Sequence, residues 1–556
     1  CRVTIFHNSV ILPLILCSLH SFPSPPPIRS AFMTAELSPL IMSATEEVHT
    51  TETTDDTSRF ESDKTSSGPT GKVGTSSSAD YNENEKGVGW IICGFIIVGE
   101  MAGGGLLALP HATAQTGFIG GTFLMIFTAL TSGYTGVQLG HNWMMMRERW
   151  PMYRTFCRKP YPEMAYRAVG HLGRTVLSTM MTVQQFGIAV VFLLIPSQGV
   201  ASFVHAFFDV HINFCYIICL VSALLLPLVM LGSLKDFWQV VIVAFISTAI
   251  AVLFMIIGMG LDAKKCYENV DYGRLNYGHF FMGFATIVFS YGGHACFPTI
   301  QNDMKRPGDF GKSVALGYAF VLMLYLPTAV IGYTVYGQAL GPLLTDSIQT
   351  RWAQQAANIL IVVHVVFTFL IVISPLSLQF EEQFHVENKF SCRRFLVRFA
   401  IMFVITFMAL TVPTFGVILG LIGATTTMLF TMILPGVFSL FLVAGREKRN
   451  EMIRNLEITE DSEDDQRATI CEVFRYNSCL MIFINFVVVL SGVLAGLVAT
   501  VLSVKELIEA RFTVPCYVSI FTDSGPGQIG KPNCCGVGFN VTAHGQNAAD
   551  FCALRS

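Results

Sequence analysis

Two apolar stretches of this chain are interrupted in the same way: GEMAGGGLLALP (Gly99–Pro110) and SYGGHACFP (Ser290–Pro298). In each stretch, four residues separate a pair of adjacent glycines from a proline. Glycine favours unwound backbone and proline removes a helical hydrogen bond, so the pattern predicts an interrupted helix. Unwound backbone survives inside a bilayer only where it lines a protected cavity. Two interruptions at matching places in two halves therefore predict a solute-binding site near the bilayer centre.

The composition is that of a membrane protein. Of 556 residues, 52% are hydrophobic and 13% are charged, whereas soluble domains are about 25% charged. We therefore expect an all-α, polytopic membrane protein whose surroundings are the lipid bilayer. The chain shows no basic stripe that would indicate a nucleic-acid partner. It also shows no motif for phosphate binding, catalysis or a metal, so we expect neither an enzyme nor a cofactor.

Eleven apolar segments are long enough to cross about 30 Å of hydrocarbon. They lie near residues 88–112, 118–141, 175–202, 213–232, 237–261, 278–300, 313–337, 353–379, 395–414, 417–443 and 473–503. Lys and Arg are concentrated in the loops after segments 2, 4, 6, 8 and 10, whereas the opposite loops hold only Lys264, Lys265, Arg274 and Arg351. The positive-inside rule then places the N-terminus in the cytosol and the C-terminus on the extracellular or lumenal side.

The segments fall into two comparable halves. When the two interruptions are superposed, segments 1–5 (about 88–261) lie over segments 6–10 (about 278–443), and segment 11 (about 473–503) is left over. Because five is odd, the two copies must face in opposite directions across the membrane. The sequence therefore predicts a transmembrane domain at 87–503, built as an inverted repeat of five plus five helices with one extra helix.

The N-terminal region differs sharply in composition from the rest. It is rich in Ser, Thr and acidic residues, so residues 1–86 are predicted to be a disordered cytosolic tail. The first 32 residues (1–32) include a short apolar run that resembles a signal sequence. The alternative is that they are not translated in the natural protein, with Met33 or Met42 as the start.

The C-terminal tail, residues 504–556, contains four cysteines and a glycosylation sequon at Asn540. These disulfide candidates are Cys516, Cys534, Cys535 and Cys552. Such a cluster belongs on the oxidising side of a membrane, in agreement with the charge asymmetry. Adjacent Cys534 and Cys535 are not expected to pair with each other, which leaves two connectivities open, and Cys266 is a further candidate partner. The alternative is a tail of free thiols, and the remaining cysteines are expected to be small buried hydrophobes.

Four stretches, two of which overlap the interruptions, resemble sequences of a known family. They are GGGLLALP (Gly103–Pro110), SGYTG (Ser132–Gly136), LLLPLVMLGSLKDF (Leu224–Phe237) and FSYGGHACFPTIQNDMKRPGDF (Phe289–Phe310). Together they resemble the amino acid/auxin permease (amino acid transporter transmembrane) family, nearest its vesicular/vacuolar and proton-coupled branch. The resemblance covers about residues 86–503. It implies a LeuT-type fold and secondary active transport of amino acids by symport, often driven by protons.

The interruptions then form the predicted substrate site. An amino acid is zwitterionic, and both of its charges need partners inside the membrane. Unwound amides at a helix N-terminus suit its carboxylate, and free carbonyls of segment 6 suit its ammonium group. The predicted substrate-binding residues are Gly99, Ala102, Gly103, Gly104, Gly105, Ser290, Tyr291, Gly292 and Gly293. The alternative is that these glycines only allow tight helix packing.

Two titratable residues beside the interruptions are proton-coupling candidates. Glu100 is the one acid deep in segment 1, and such a carboxylate usually faces a cavity. It is interpreted as a proton carrier, as a partner of the substrate ammonium, or as a partner of another buried polar group. His294 is interpreted equally as a proton-linked group or as a structural hydrogen-bonding group. Sodium-coupled members of the resembled family tend to have small polar residues at this place, so H+ is expected as the coupling ion in preference to Na+.

Other polar residues of the segments are interpreted mainly as contacts between helices. His364 is expected to be a packing residue, whereas Gln184, Gln185, Tyr291 and Thr425 to Thr427 are also candidates to line a cavity. At the cytosolic end of segment 6, Asp303, Lys305 and Arg306 form either a gate network or a solvated cluster.

A second functional hypothesis is a non-transporting amino acid sensor with the same fold, and a channel is a weaker third. For the location, Glu36, Leu40 and Ile41 match an acidic dileucine signal that would bind sorting adaptors. The expected location is therefore an endolysosomal or vesicular membrane, or else the plasma membrane.

Overall fold

The structure, a computed structural model, describes a helical protein. It covers residues 87–553 except for 155–156, 158, 209, 211, 231–237, 387–390, 413–414, 460–461, 463–466, 510–514 and 520–530. The predictions for the tail at 1–86, for its first 32 residues and for the sorting signal at Glu36, Leu40 and Ile41 lie outside the described residues.

Eighteen helices follow one another along the described chain. They are α1 (Trp90–Met101), α2 (Gly104–Thr116), α3 (Phe118–Arg149), α4 (Pro160–Val169), α5 (His171–Phe208), α6 (Phe214–Val229), α7 (Trp238–Cys266), α8 (Tyr277–Ser290), α9 (Phe297–Asn302), α10 (Phe310–Tyr336), α11 (Arg351–Gln383), α12 (Cys392–Thr411), α13 (Phe415–Ile422), α14 (Leu434–Arg454), α15 (Ile470–Tyr476), α16 (Cys479–Glu509), α17 (Cys516–Ser519) and α18 (Ala548–Phe551). Two π-helical turns, Gly423–Thr427 and Leu429–Ile433, continue α13 into α14.

The lengths of these helices confirm a polytopic α-helical membrane protein. In the described part of the chain, eight helical stretches are long and apolar enough to cross a membrane, and α1 with α2 forms a ninth that is bent by 58°. Helices α6 and α8 are also apolar but have 16 and 14 residues, fewer than the roughly 20 that a straight span requires. The count of eleven spans and the inverted repeat stay predictions.

Disulfides hold the C-terminal region against the helices. We call residues 531–553 the cap. Within it, Cys534 pairs with Cys552, and Cys535 pairs with Cys266 at the C-terminal end of α7. The cap is therefore both closed on itself and attached to the helical domain.

A third disulfide joins Cys516, at the start of α17, to Cys215 near the start of α6. Both connectivities restricted to the four tail cysteines are therefore wrong, because two of the four pair with cysteines of the helical domain. The expectation that Cys215 is merely a buried hydrophobe is also wrong. Its helix begins at Phe214, so Cys215 lies at a helix end where a tail segment can reach it.

One carboxylate joins the cap to the helices. The fully buried side chain of Asp262 accepts hydrogen bonds from the hydroxyls of Tyr336 (2.7 Å) and Thr350 (2.6 Å) and from the backbone amide of Gln349 (2.7 Å). The imidazole of His544, a cap residue, lies 3.4 Å from the same carboxylate. Asp262 therefore connects α7, the end of α10, the start of α11 and the cap.

A second buried carboxylate ties three helices together at another place. Glu381 of α11 is 1% exposed and accepts from the guanidinium groups of Arg398 (2.6 Å) and Arg394 (3.1 Å) of α12. Arg398 also donates to the backbone carbonyl of Val229 in α6. Since these charges are removed from water, each depends on its partner.

We expect Glu381→Gln to destabilise the protein by about 3–5 kcal/mol, because it leaves buried guanidinium groups without a counter-charge. The free energy of unfolding, or the thermal midpoint of the detergent-solubilised protein, measures this effect. The matched control is Glu382→Gln: its carboxylate is 48% exposed and pairs with Lys159 at 3.0 Å, so its loss should cost at most about 1 kcal/mol. Equal effects of the two substitutions would contradict the prediction.

Candidate functional site at two facing helix breaks

The first break separates α1 from α2. Ala102 and Gly103 leave the helical path, with φ −79°, ψ 36° and φ −99°, ψ −121° respectively. The helix therefore unwinds just before the glycine pair at Gly104 and not after it. Pro110 lies inside α2 and does not end it. The sequence predicted the interruption correctly. The backbone unwinds at the glycines, however, and the proline lies within the helix that follows.

The second break separates α8 from α9. Residues 291–296 have no regular helix, and α9 begins at Phe297 with Pro298 in its first turn. Proline is tolerated there because the first amides of a helix have no intrahelical acceptor. Pro298 thus starts the second half-helix, and the unwound residues are those around Gly292 and Gly293.

The two breaks face each other. A Cβ atom built on Gly105 would lie 2.6 Å from the Cα atom of Ser290, so only glycine allows this approach. On the other side of the breaks, the thiol of Cys296 lies 3.4 Å from a carboxylate oxygen of Glu100. Residues from halves of the chain that are nearly two hundred positions apart therefore meet at one place in the fold.

Tyrosine hydroxyls from α10 satisfy the carbonyls that the breaks set free. The hydroxyl of Tyr325 lies 2.7 Å from the carbonyl oxygen of Met101 and 3.0 Å from that of Ser290. Tyr318, two helical turns earlier, donates to the carbonyl of Tyr291 at 3.0 Å. A substrate ammonium group at the carbonyls of Ser290 and Tyr291 would therefore compete with these hydroxyls.

Backbone amides at the start of α2 have a different status. Gly104 and Gly105 are the first two residues of a 13-residue helix, so their N–H groups have no intrahelical acceptor. The amide of Leu106 is already bonded to the carbonyl of Gly103. The first break thus presents donors, together with the positive end of a helix dipole, as an anion site requires.

The other predicted site glycines face neighbouring helices. Gly99 lies against Val241 of α7, and Gly104 lies against Ile195 of α5. Gly292 lies against the π-helical turn that follows α13. These glycines can serve both close packing and substrate binding, because both roles require a backbone without a side chain.

His294 packs onto α3, where the SGYTG motif lies. Its Nε2 atom is 3.0 Å from the carbonyl oxygen of Ser132 and 3.1 Å from the hydroxyl of Thr135. Its ring stacks on Phe297, with the ring centroids 4.7 Å apart. Its Nδ1 atom is buried and has no hydrogen-bond partner among the described residues. His294 is thus partly structural, with one nitrogen left over.

His364, which the sequence led us to expect as a packing residue, is only partly satisfied by its neighbours. Its Nδ1 atom lies 2.8 Å from the hydroxyl of Thr248 and 2.9 Å from the carbonyl oxygen of Ala244, both in α7. Its Nε2 atom is buried without a partner among the described residues, and it faces Gly103. Among the described residues, therefore, only one of its two ring nitrogens is hydrogen-bonded. The available signal was a single histidine in the middle of the apolar helix α11.

The remaining polar candidates mostly connect helices. Gln184 of α5 donates to the hydroxyl of Thr427 at 3.3 Å. The hydroxyls of Thr425 and Thr426 return to carbonyls of their own helix. Tyr291 is buried, and its hydroxyl has no partner among the described residues.

Backbone hydrogen bonds link the start of α1 to the chain that follows α9. The amide of Val88 donates to the carbonyl of Asp303, and the amide of Lys305 donates to the carbonyl of Val88, at 3.0 and 2.8 Å. The hydroxyl of Ser313 donates to the carbonyl of Trp90 at 2.8 Å. The start of α1 is therefore held against the chain that follows α9.

The opposite end of the bundle is more open. A cleft of about 490 Å³ lies between α2, α8 and the cap, lined in part by Gln115, His279, Met282 and Phe539. This cleft lies next to the cap, away from the start of α1.

A smaller cavity lies beside this cleft. It is lined in part by Leu107 of α2, Gln198 of α5, Asn358 of α11 and Asp346 in the loop before α11. Burial raises the pKa of the Asp346 carboxyl to about 7. In the part of the chain that the structure describes, no three His, Cys, Asp or Glu side chains are grouped to hold a metal ion.

These features define a class: a multi-pass α-helical membrane protein with two discontinuous helices whose breaks meet inside the bundle. A sequence profile of the family described as transmembrane amino acid transporter protein matches residues 86–460. The chain belongs to this family.

Individual relatives are distant. The chain is similar to three proteins of Arabidopsis thaliana: amino acid transporter AVT1B (25% identical over 352 residues), amino acid transporter AVT1J (25% over 356) and lysine histidine transporter-like 1 (26% over 357). The alignments cover 61%, 61% and 60% of this chain, and 62%, 79% and 76% of those proteins. The match spans about 62% of the length of AVT1B. All three are named as transporters, so the sensor hypothesis gains no support from them.

We expect Tyr325→Phe to destabilise the protein by about 1–3 kcal/mol, because it removes the hydroxyl that contacts the carbonyls of Met101 and Ser290 and leaves the buried Ser290 carbonyl without that donor. The thermal midpoint of the purified protein measures this effect. Tyr333→Phe is the matched control on the same helix, since that hydroxyl bonds the carbonyl of Tyr272 far from the breaks. A loss no greater than that of the control would count against the capping role.

Proposed function

We propose that the chain is a secondary active transporter that carries amino acids together with protons. The observation that carries this proposal is the meeting of two helix breaks, one of which places the amides of Gly104 and Gly105 in the first turn of α2, where they have no intrahelical acceptor. The family and the names of the relatives support amino acids as the substrate class. No observation favours the sensor hypothesis in the same way.

The substrate carboxylate would bind at the N-terminus of α2, because its amides and dipole favour an anion there. Gly103, Gly104 and Gly105 lack side chains, so the carboxylate can approach the backbone closely. The ammonium group would then lie toward the second break. It would bind carbonyls near Gly292 and Gly293 or displace a tyrosine hydroxyl from Ser290.

Transport would proceed by alternating access around the two breaks. In this proposal the eight long stretches, the bent pair α1–α2 and the shorter helices α6 and α8 make up eleven spans. The first ten form the LeuT-type inverted repeat, and α16 is the extra helix. The bonds between Val88 and the chain after α9 would close one side and would have to break when that side opens.

Glu100 and His294 are the proposed relay for protons. Glu100 lies between the breaks and contacts Cys296 of the second one, so a change of its charge would be felt by both. His294 keeps one nitrogen without a partner. Both a carboxyl group and an imidazole can take up and release a proton, so H+ is the proposed coupling ion in preference to Na+.

The orientation follows from the charges and the cap. We propose that the N-terminus is cytosolic and that the cap is extracellular or lumenal, in an endolysosomal, vesicular or plasma membrane. Three disulfides in and around the cap suit an oxidising compartment. Asn540 of the sequon is exposed on the cap, as an attached glycan would require.

The test is uptake by proteoliposomes that contain the full chain, with a panel of the twenty radiolabelled amino acids. We expect at least one of them to accumulate under an inward pH gradient and not under a sodium gradient. One pH unit is worth about 1.4 kcal/mol, or roughly tenfold accumulation for one proton per substrate. No uptake of any amino acid under either gradient would overturn the proposal.

We expect Glu100→Gln to abolish accumulation driven by the pH gradient, because glutamine cannot carry the relayed proton. His294→Gln should weaken it. Exchange of labelled for unlabelled substrate at equal pH is the control, and it should survive in both variants. If both variants keep wild-type accumulation, the relay assignment is wrong.

We expect Gly105→Ala to reduce transport at least tenfold, because the added methyl group would meet the backbone of Ser290 and push the breaks apart. Gly260→Ala is the matched control, since a Cβ at that position on α7 meets nothing within 4 Å. The measurement is the initial uptake rate at matched protein content. Similar rates for both variants would show that the close contact of the breaks is not required.

A further inference from the structure

We infer that His364 is the proton-binding partner of the substrate carboxylate at the break between α1 and α2. The inference rests on the proposed function and deepens it, since it names the atom where proton and substrate meet. Neither the sequence motifs nor the relatives' names assign a role to this residue.

The hydrogen bonds of the imidazole fix its tautomer. The carbonyl oxygen of Ala244 can only accept, and it lies 2.9 Å from Nδ1. The hydrogen is therefore on Nδ1 in the neutral ring, and Nε2 carries a lone pair. The hydroxyl of Thr248, also in contact with Nδ1, holds the ring in this orientation.

The Nε2 atom lies next to the unwound residue Gly103. His364 is fully buried, and Nε2 has no partner among the described residues. A Cβ atom on Gly103 would lie 3.0 Å from Nε2 and 3.5 Å from the ring of Phe192. Because Gly103 has no side chain, an atom bound at the following amides can reach this nitrogen.

The position of the ring links protonation to substrate binding. An imidazolium ion in an apolar site is unfavourable without a counter-charge, so the ring is neutral in the empty site. A carboxylate on the amides of Gly104 and Gly105 supplies that counter-charge next to Nε2. The proton passes from water to the Nε2 lone pair when the substrate binds, and returns to water on the other side when the substrate leaves.

Another titratable group lies near this level of the bundle: Asp346 lines the small cavity together with Ile361, which is one turn from His364. The groups next to the ring nitrogens are the Thr248 hydroxyl, the Ala244 carbonyl and the Gly103 backbone. On α7 the next titratable residue is Asp262, roughly 21 Å along the helix from Thr248, and on α11 it is Arg351, roughly 20 Å along from His364. Glu100 lies one turn from Gly103 but contacts Cys296 of the other break.

The experiment is calorimetric titration of the purified full chain with the amino acid that the uptake panel identifies. Titration in two buffers of different ionisation enthalpy gives the number of protons taken up per substrate. For the wild type near neutral pH we expect about one proton, and a dissociation constant that rises about tenfold per pH unit. His364→Gln should still bind, with proton uptake near zero and less than about a twofold change per pH unit.

One variant serves as the comparison. His279→Gln, which replaces an exposed histidine of the outer cleft, should retain the wild-type proton uptake. If His364→Gln keeps the wild-type proton uptake and pH slope, or if His279→Gln loses them, the inference is overturned.

The proposed function and this inference fail in different ways. A wild-type protein that transports no amino acid overturns the function itself. If His364→Gln does not give monodisperse protein, the wild type decides: diethyl pyrocarbonate should modify His364 at Nε2, and saturating substrate should reduce that modification at least fivefold. Modification that is absent, or equal with and without substrate, would overturn the inference.

Discussion

Every backbone polar group inside a membrane needs a partner, and two interrupted helices leave several of them without one. The structure meets this requirement unequally. Carbonyls at both breaks are bonded to Tyr318 and Tyr325 of a single helix, α10. The first amides of α2 have no such partner within their helix. The imbalance leaves hydrogen-bond donors at the centre of the bundle, and the proposed carboxylate site depends on it.

The breaks could be predicted from the local sequence because their cause is local. Adjacent glycines and the apolar residues around them are visible without knowledge of any other helix. The role of proline was misjudged for the same reason: Pro110 and Pro298 are each accommodated within or at the start of a half-helix, and the pattern alone does not show where the unwound residues fall. The family could likewise be recognised from the sequence, because its motifs are short local stretches.

The residues that complete the site come from distant helices and have no local signal. His364 appeared to be an isolated histidine in an apolar segment, and nothing near it in sequence indicates that it faces Gly103. Tyr325 is one of several tyrosines in α10, and its importance follows only from its distances to Met101 and Ser290. Cys215 was misjudged because its disulfide partner lies 301 positions later. In each case the missing information was which helices are neighbours.

The long separations in the disulfides have a consequence for biosynthesis. Cys215 and Cys266 are made before their partners, which follow 301 and 269 residues later. Neither disulfide can form until the helices from α8 to α16 have been made, so the cap can lock only after α16 is in place. The cap can therefore close only on a chain whose helical domain has been completely inserted. A chain halted earlier would leave two reactive thiols for the quality-control machinery to recognise.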